Sequence, residues 1–247
     1  MDRLVYVAMS GAKQIMSAQA ANNANLANAN TVGFRADLSA FQTQQVVGAG
    51  LPSRAYATDS SAGWDASSGV LQHTGQPLDV AIKGAGWIAV QASDGTEAYT
   101  RAGDLHLDST GVLTTAIGNP VLGDSGPITV PPDTSINIGS DGSVSIVGQG
   151  QPATAVSTVG RIKLVNPATS ELARGTDGLF RSSDPNTPVT ADASVKLVPG
   201  TLESSNVNIA ESMANMIELA RNYEVQVKAM KAAEDNAAQS SKLLQSS

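Results

Sequence analysis

Cysteine is absent from the 247 residues, which removes disulfide frameworks, thiolate zinc sites and cysteine nucleophiles together. Aromatic side chains make up only 4% of the chain, so any core has to be built from aliphatic residues and alanine, and packing between chains is expected to help complete it. Positive charge is scarce as well. Lys and Arg number 15 against 22 Asp and Glu, a net charge of −7, and no dense basic run offsets it, which excludes nucleic acid as the main partner. Long hydrophobic runs are missing: nothing approaches the roughly 18 consecutive apolar residues of a membrane-spanning helix. The fairly apolar stretch Leu4 to Ala12 lies between Asp2 and Lys13 and has no convincing cleavage site, so no cleaved signal peptide is expected. His73 and His106 are the only histidines, in different expected elements and without a second ligand at a useful spacing. No metal site, cofactor or small-molecule substrate is expected.

What is present starts with a helix. Leu4, Ala8, Gly11, Ile15, Ala18 and Leu26 follow three- and four-residue steps, which predicts one helix from about Asp2 to Asn28. No charged side chain stands between Lys13 and Arg35; a helix with small neutral residues on every face suits close enclosure by neighbours. Asn22, Asn23, Asn25, Asn28 and Asn30 crowd its end although asparagine is a poor helix former. Two readings stand: register-fixing amides on a helical seam, or fraying into a polar loop.

From Gln44 to Gly69 the chain turns to Gly, Ser, Ala and Pro with little periodicity and reads as a connector or irregular arm. From Val70 to about Gly200 short strand candidates alternate with turns: 79–83, 87–90, 97–100, 105–107, 128–130, 143–147, 160–165 and 195–198. That spacing is an all-β signal. Gly84-Ala85-Gly86 with Ala89 fits a loose nucleotide fingerprint, but a second strand follows where a phosphate loop needs a helix, so a hairpin turn is expected. Asp79, Asp94, Asp104, Asp108 and Asp141 are read as turn residues rather than catalytic carboxylates or calcium ligands. A carbohydrate-acting enzyme would need two of them to converge in one cleft; an adhesin-like binding module would need an exposed apolar patch on the β region.

The last segment returns to helix. Asn208 with Glu211 makes a capping-box-like start, and a heptad follows to near Leu244. One seam holds Ile209, Met216, Tyr223, Met230, Ala237 and Leu244; the other holds Met213, Ala220, Val227, Glu234 and Ser241. The expected fold is α+β, with long N- and C-terminal helices forming an antiparallel coiled-coil-like domain and bracketing an all-β centre. The expected division is an assembly helix and turn at 1–35, a connector at 36–69, a β-rich domain at 70–203 and a second assembly helix at 204–247.

The run Asn25-Leu26-Ala27-Asn28-Ala29-Asn30-Thr31-Val32-Gly33-Phe34-Arg35 closely resembles the signature of flagellar rod and hook proteins, in which an Asn-Leu-Ala-Asn run leads into a Gly-Phe-basic step. The likeness continues through Asp79 to Trp87, Tyr99 to Gly103, Gly118 to Gly123 and Ser204 to Val207. Within that family the opening Met1 to Met9 and the Glu234-Asp235-Asn236-Ala237 segment look like a proximal-rod member, with distal-rod and hook-type subunits as the siblings to separate. The resemblance implies a non-enzymatic axial subunit, exported by the flagellar type III apparatus without signal cleavage, located in the rod where it crosses the periplasm. Its implied partners are copies of itself and neighbouring rod proteins. The residues expected to carry assembly are Leu4, Ile15, Ala18, Asn25, Leu26, Asn28, Gly33, Phe34, Ile209, Met213, Met216, Ala220, Tyr223, Val227 and Met230. Gly33 is expected to shape the turn out of the helix, and Phe34 to anchor it.

Overall fold

Alanine-rich sequence without proline lets the first helix, α1 (Asp2–Ala27), run unbroken through its asparagines in the computed structural model, which describes residues 2–45, 55–131, 134–148, 156–184 and 189–245. The second helix, α2 (Ile209–Gln245), starts where the Asn208 side chain accepts hydrogen bonds from the amides of Ala210 at 3.1 Å and Glu211 at 3.3 Å. The chain divides into two compact units. One comprises Met1–Ala29, Ala36–Asp65 and Val207–Ser247; the other comprises Asn30–Arg35 and Ala66–Asn206.

The first unit holds both helices and an antiparallel β-ribbon, Asp37–Gln45 paired with Ala55–Trp64. That ribbon occupies much of the stretch whose composition reads as a connector; backbone pairing, not side-chain periodicity, defines it. α1 and α2 lie side by side and run in opposite directions. Near one end the Asn22 amide donates to the Ser212 carbonyl at 2.8 Å, and further along Gly11 faces the Gln226 side chain.

The architecture is α+β, but the expected coiled-coil-like helical domain is not what forms. Along α2 the expected second seam faces outward, with Met213 51% and Val227 41% exposed and Ala220 and Glu234 exposed too. The more enclosed stripe runs through Ser212, Met216, Tyr223, Gln226, Met230 and Ala233. The buried side chains of α1 are Ala8, Ala12, Gln14, Ile15 and Ala18. Much of the enclosed surface is alanine, serine and glutamine rather than a continuous heptad of large apolar residues. The β-ribbon also packs against α1, so the unit is not a helical pair alone.

Among the described residues, the regular structure of the second unit is β apart from one 3-10 turn, Thr169–Glu171. Its main sheet has the order Leu164–Val165, Trp87–Gln91, Glu97–Thr100, Phe180–Ser182, Leu172–Arg174, with every pair antiparallel. A three-stranded sheet places Ser143–Gly148 between Thr134–Ile138 and Ser157–Arg161. Shorter pairs join Val80–Lys83 to Lys196–Pro199, Leu71–His73 to Thr201–Glu203, Leu105–Leu107 to Leu113–Thr115, and Leu122–Gly123 to Gly126–Pro127. Val80, Ile88, Val90, Leu113, Val121, Ile138, Val144 and Ile162 meet in one aliphatic core. Each such side chain contributes about 1.5–3 kcal/mol when fully buried.

Three local expectations change. The segment 160–165 splits between two sheets, and 128–130 forms no strand, although Ile128 and Val130 are buried. Gly84 and Gly86 do make a tight turn between strands, with φ of 84° and 131°. It is not a hairpin, because Val80–Lys83 pairs with Lys196–Pro199 while Trp87–Gln91 pairs with Glu97–Thr100.

Candidate functional site

The Gly-Phe-basic step lies in the β-rich unit, where each of its residues is held separately. Gly33 is buried at φ 67°, and a Cβ there would fall 2.3 Å from the main-chain carbon of Arg101. Only glycine fits that conformation at that approach. Its amide donates to the Glu203 carbonyl at 2.8 Å. Phe34 is buried, and the Arg174 guanidinium lies 4.3 Å from its ring centroid, a cation–π contact. Arg174 also donates to the Arg35 carbonyl at 2.9 Å and lies 5.8 Å from the Phe180 ring, which in turn packs 4.5 Å from Trp87.

Arg35 is 1% exposed and donates through Nη2 to Glu203 Oε1 at 2.6 Å. The other oxygen of the same carboxylate accepts from Arg101 Nη1 at 2.9 Å, and Arg101 Nη2 donates to the Gly84 carbonyl at 2.7 Å. The Gly69 amide adds a third donor to Glu203, at 2.9 Å on Oε1. One buried carboxylate therefore serves two buried guanidinium groups. Burial pulls Arg101 below the usual guanidinium value, Glu203 opposes that shift, and Arg35 adds to it. Arg35 Nε and Nη1 and Arg101 Nε are buried without a hydrogen-bond partner. Breaking such a cluster from one side costs about 3–5 kcal/mol, since it leaves charge uncompensated in a dry interior.

The other expected site residues lie elsewhere. Ile15 and Ala18 are buried within the helical unit, and Leu26 is half-buried. The Asn25 side chain clips the Asp37 main chain from both sides, donating to its carbonyl at 2.9 Å and accepting from its amide at 2.8 Å. Asn28 donates to the Ala24 carbonyl at 2.8 Å. These amides are engaged within the chain. Met216, Tyr223 and Met230 are half-buried on the enclosed stripe of α2, whereas Ile209, Met213, Ala220 and Val227 are exposed. The side chain of Leu4 is outside the described residues, as are those of Ser241 and Leu244 on the heptad seams.

Asp94, Asp108 and Asp141 each accept from the hydroxyl and amide of a residue two positions on, Thr96, Thr110 and Ser143. These bonds hold all three carboxyls below their ordinary range, with Arg161 also acting on Asp141. They are turn residues, as expected. Asp79 and Asp104 do come together, as partners in an isolated antiparallel bridge. Burial raises the Asp104 carboxyl, the nearby Asp79 charge adds to the rise, and Oδ1 of Asp104 has no partner. Neither residue lines the cavity of about 490 Å³ bounded by Glu97, Leu122, Asp124 and Lys163, where Lys163 neutralises Glu97 at 2.8 Å. Among the described residues no group of acidic or histidine side chains could hold a metal ion, and no helix is long and apolar enough to cross a membrane.

Glu203, Arg101, Arg174 and Arg35 are not among the residues expected from the sequence to carry a role. A signal existed for Arg35: it ends a run without charge, directly after a buried aromatic. Nothing local marks Glu203 as its counter-ion 168 positions away.

The family described as flagellar hook protein FlgE/F/G D1 domain matches residues 81–146, and that described as flagellar basal body rod FlgEFG protein C-terminal matches residues 198–243. The flagellar basal-body rod protein FlgF of Escherichia coli is 45% identical over 99% of both chains, and that of Salmonella typhimurium is 42% identical over the same shares. The flagellar basal-body rod protein FlgG of Bacillus subtilis is 34% identical over 91% of this chain and 92% of its own. The chain belongs to the flagellar basal-body rod protein family, and its likeness to FlgF covers its whole length.

Proposed function

We propose that this chain is a structural, non-catalytic subunit of the proximal part of the flagellar basal-body rod and joins it through its two terminal helices. The observation that carries the reading is the end-to-end likeness to FlgF rod proteins, with the C-terminal family match falling on the start and most of α2. The helices support the second half. Ile209, Met213, Ile217 and Val227 are 41–57% exposed on α2, and Met9 and Met16 are each 58% exposed on α1. Exposed methionine and aliphatic side chains on helices suit contact with further copies and neighbouring rod subunits.

The expected assembly residues then divide by task. Ile209, Met213, Ala220 and Val227 contact neighbours; Ile15, Ala18, Met216, Tyr223 and Met230 hold the helical unit in shape; Asn25, Asn28, Gly33 and Phe34 hold the turns that follow α1. Export by the flagellar type III apparatus without a cleaved signal, and a position where the rod crosses the periplasm, complete the reading. Deleting the coding sequence should abolish swimming, and restoring the parent chain should recover it. A deletion strain that builds complete basal bodies and swims would overturn the assignment.

A further inference from the structure

The Glu203 carboxylate stands where three distant parts of the β-rich unit meet: the inbound segment 30–35, the start of the β-rich stretch at Gly69, and the loop carrying Arg101. The outbound segment 203–206 meets the inbound one by two further bonds, Gly33 amide to the Glu203 carbonyl at 2.8 Å and Asn206 amide to the Phe34 carbonyl at 3.3 Å. We propose that Glu203 is a latch that closes segments 30–35 and 203–206 of the β-rich unit as a single cooperative element, separate from the aliphatic core. The reasoning is electrostatic. Arg35 and Arg101 are buried with Glu203 as the carboxylate bonded to both, from 168 and 102 positions away. Either guanidinium would be buried without compensation until the outbound segment arrives, so the inbound segment cannot close by itself. Gly69 reinforces the dependence, because its backbone abuts the Ser204 carbonyl so closely that a Cβ would lie 1.9 Å from it. Buried ion clusters contribute little net stability compared with apolar packing, but they specify which segments meet. The segments this cluster joins are those next to which the chain passes between its two units, at 29/30, 35/36, 65/66 and 206/207.

The experiment is residue-resolved hydrogen exchange on the full chain. In the parent protein the amides of Gly33, Gly69 and Asn206 should exchange through one shared opening with the same urea dependence, distinct from the Ala89 and Val121 amides of the core. Three different dependences, or one identical to that of the core, would overturn the latch. Glu203→Gln should speed exchange at those three amides together by about tenfold or more while Ala89 and Val121 stay within about twofold. The triple replacement Arg35→Met, Arg101→Met, Glu203→Leu removes every buried charge and should return the three amides towards parent rates. Rates in the triple variant as fast as in Glu203→Gln would show that shape, rather than charge, holds the segments, and would also overturn the proposal.

Discussion

Gly33 is the residue whose replacement has the most sharply defined outcome. Its φ of 67° would strain any L side chain by about 1–2 kcal/mol, and the Arg101 main chain fills the space a Cβ needs. Gly33→Ala should therefore lower the urea midpoint clearly, whereas Gly95→Ala, at φ 82° but facing open space, should cost only the strain. Equal losses at the two sites would show that the Arg101 contact is not tight. The carboxylates give a pH signature with two signs. Asp94, Asp108, Asp141, Asp177 and Asp192 are depressed, so their contribution is present above the unfolded carboxylate value of about 4 and is lost as pH falls through their folded values. Asp104 is raised, so it opposes folding at neutral pH, and that cost is relieved as pH falls below its folded value. Asp104→Asn should raise the melting temperature at pH about 7 and lose that advantage at pH about 4; an unchanged difference across the range would contradict the assignment.

The two helices differ in how far their sequences disclose their faces. The α1 steps Ala8, Ile15 and Ala18 are buried where the periodicity places them, and the Asn208 start of α2 caps as read. The heptad of α2 misleads because Met213, Val227 and Ile209 are as apolar as the residues on the enclosed stripe, and periodicity cannot say which of two apolar faces the chain itself covers. Val227→Asp and Met230→Asp separate them. The first should leave folding stability within about 0.5 kcal/mol of the parent, as surface changes do, yet block rod completion in exported protein. The second puts a carboxylate on the half-buried stripe and should destabilise the helical unit itself. Comparable melting losses for both would mean that the two faces are not distinguished in this way.

Across the molecule, the strands from Val80 to Thr100 were legible because alternating or continuous apolar residues end at Gly or Asp-Gly turns. The ribbon Asp37–Gln45 with Ala55–Trp64 was not, since Thr, Gln, Ser and Ala form a strand only through its pairing. The Gly33-Phe34-Arg35 step was visible as a motif, but its partners Glu203, Arg101 and Arg174 were not, because each lies far along the chain. The central claim is that the terminal helices bind neighbours in the rod while the β-rich unit is an independently cored module. A cryo-electron microscopy map of basal bodies containing this chain tests it most directly. Met213 and Val227 of each copy should be covered by density of an adjacent subunit; a map in which that face of α2 meets solvent while neighbours contact only the β-rich unit would rule out assembly through the helices.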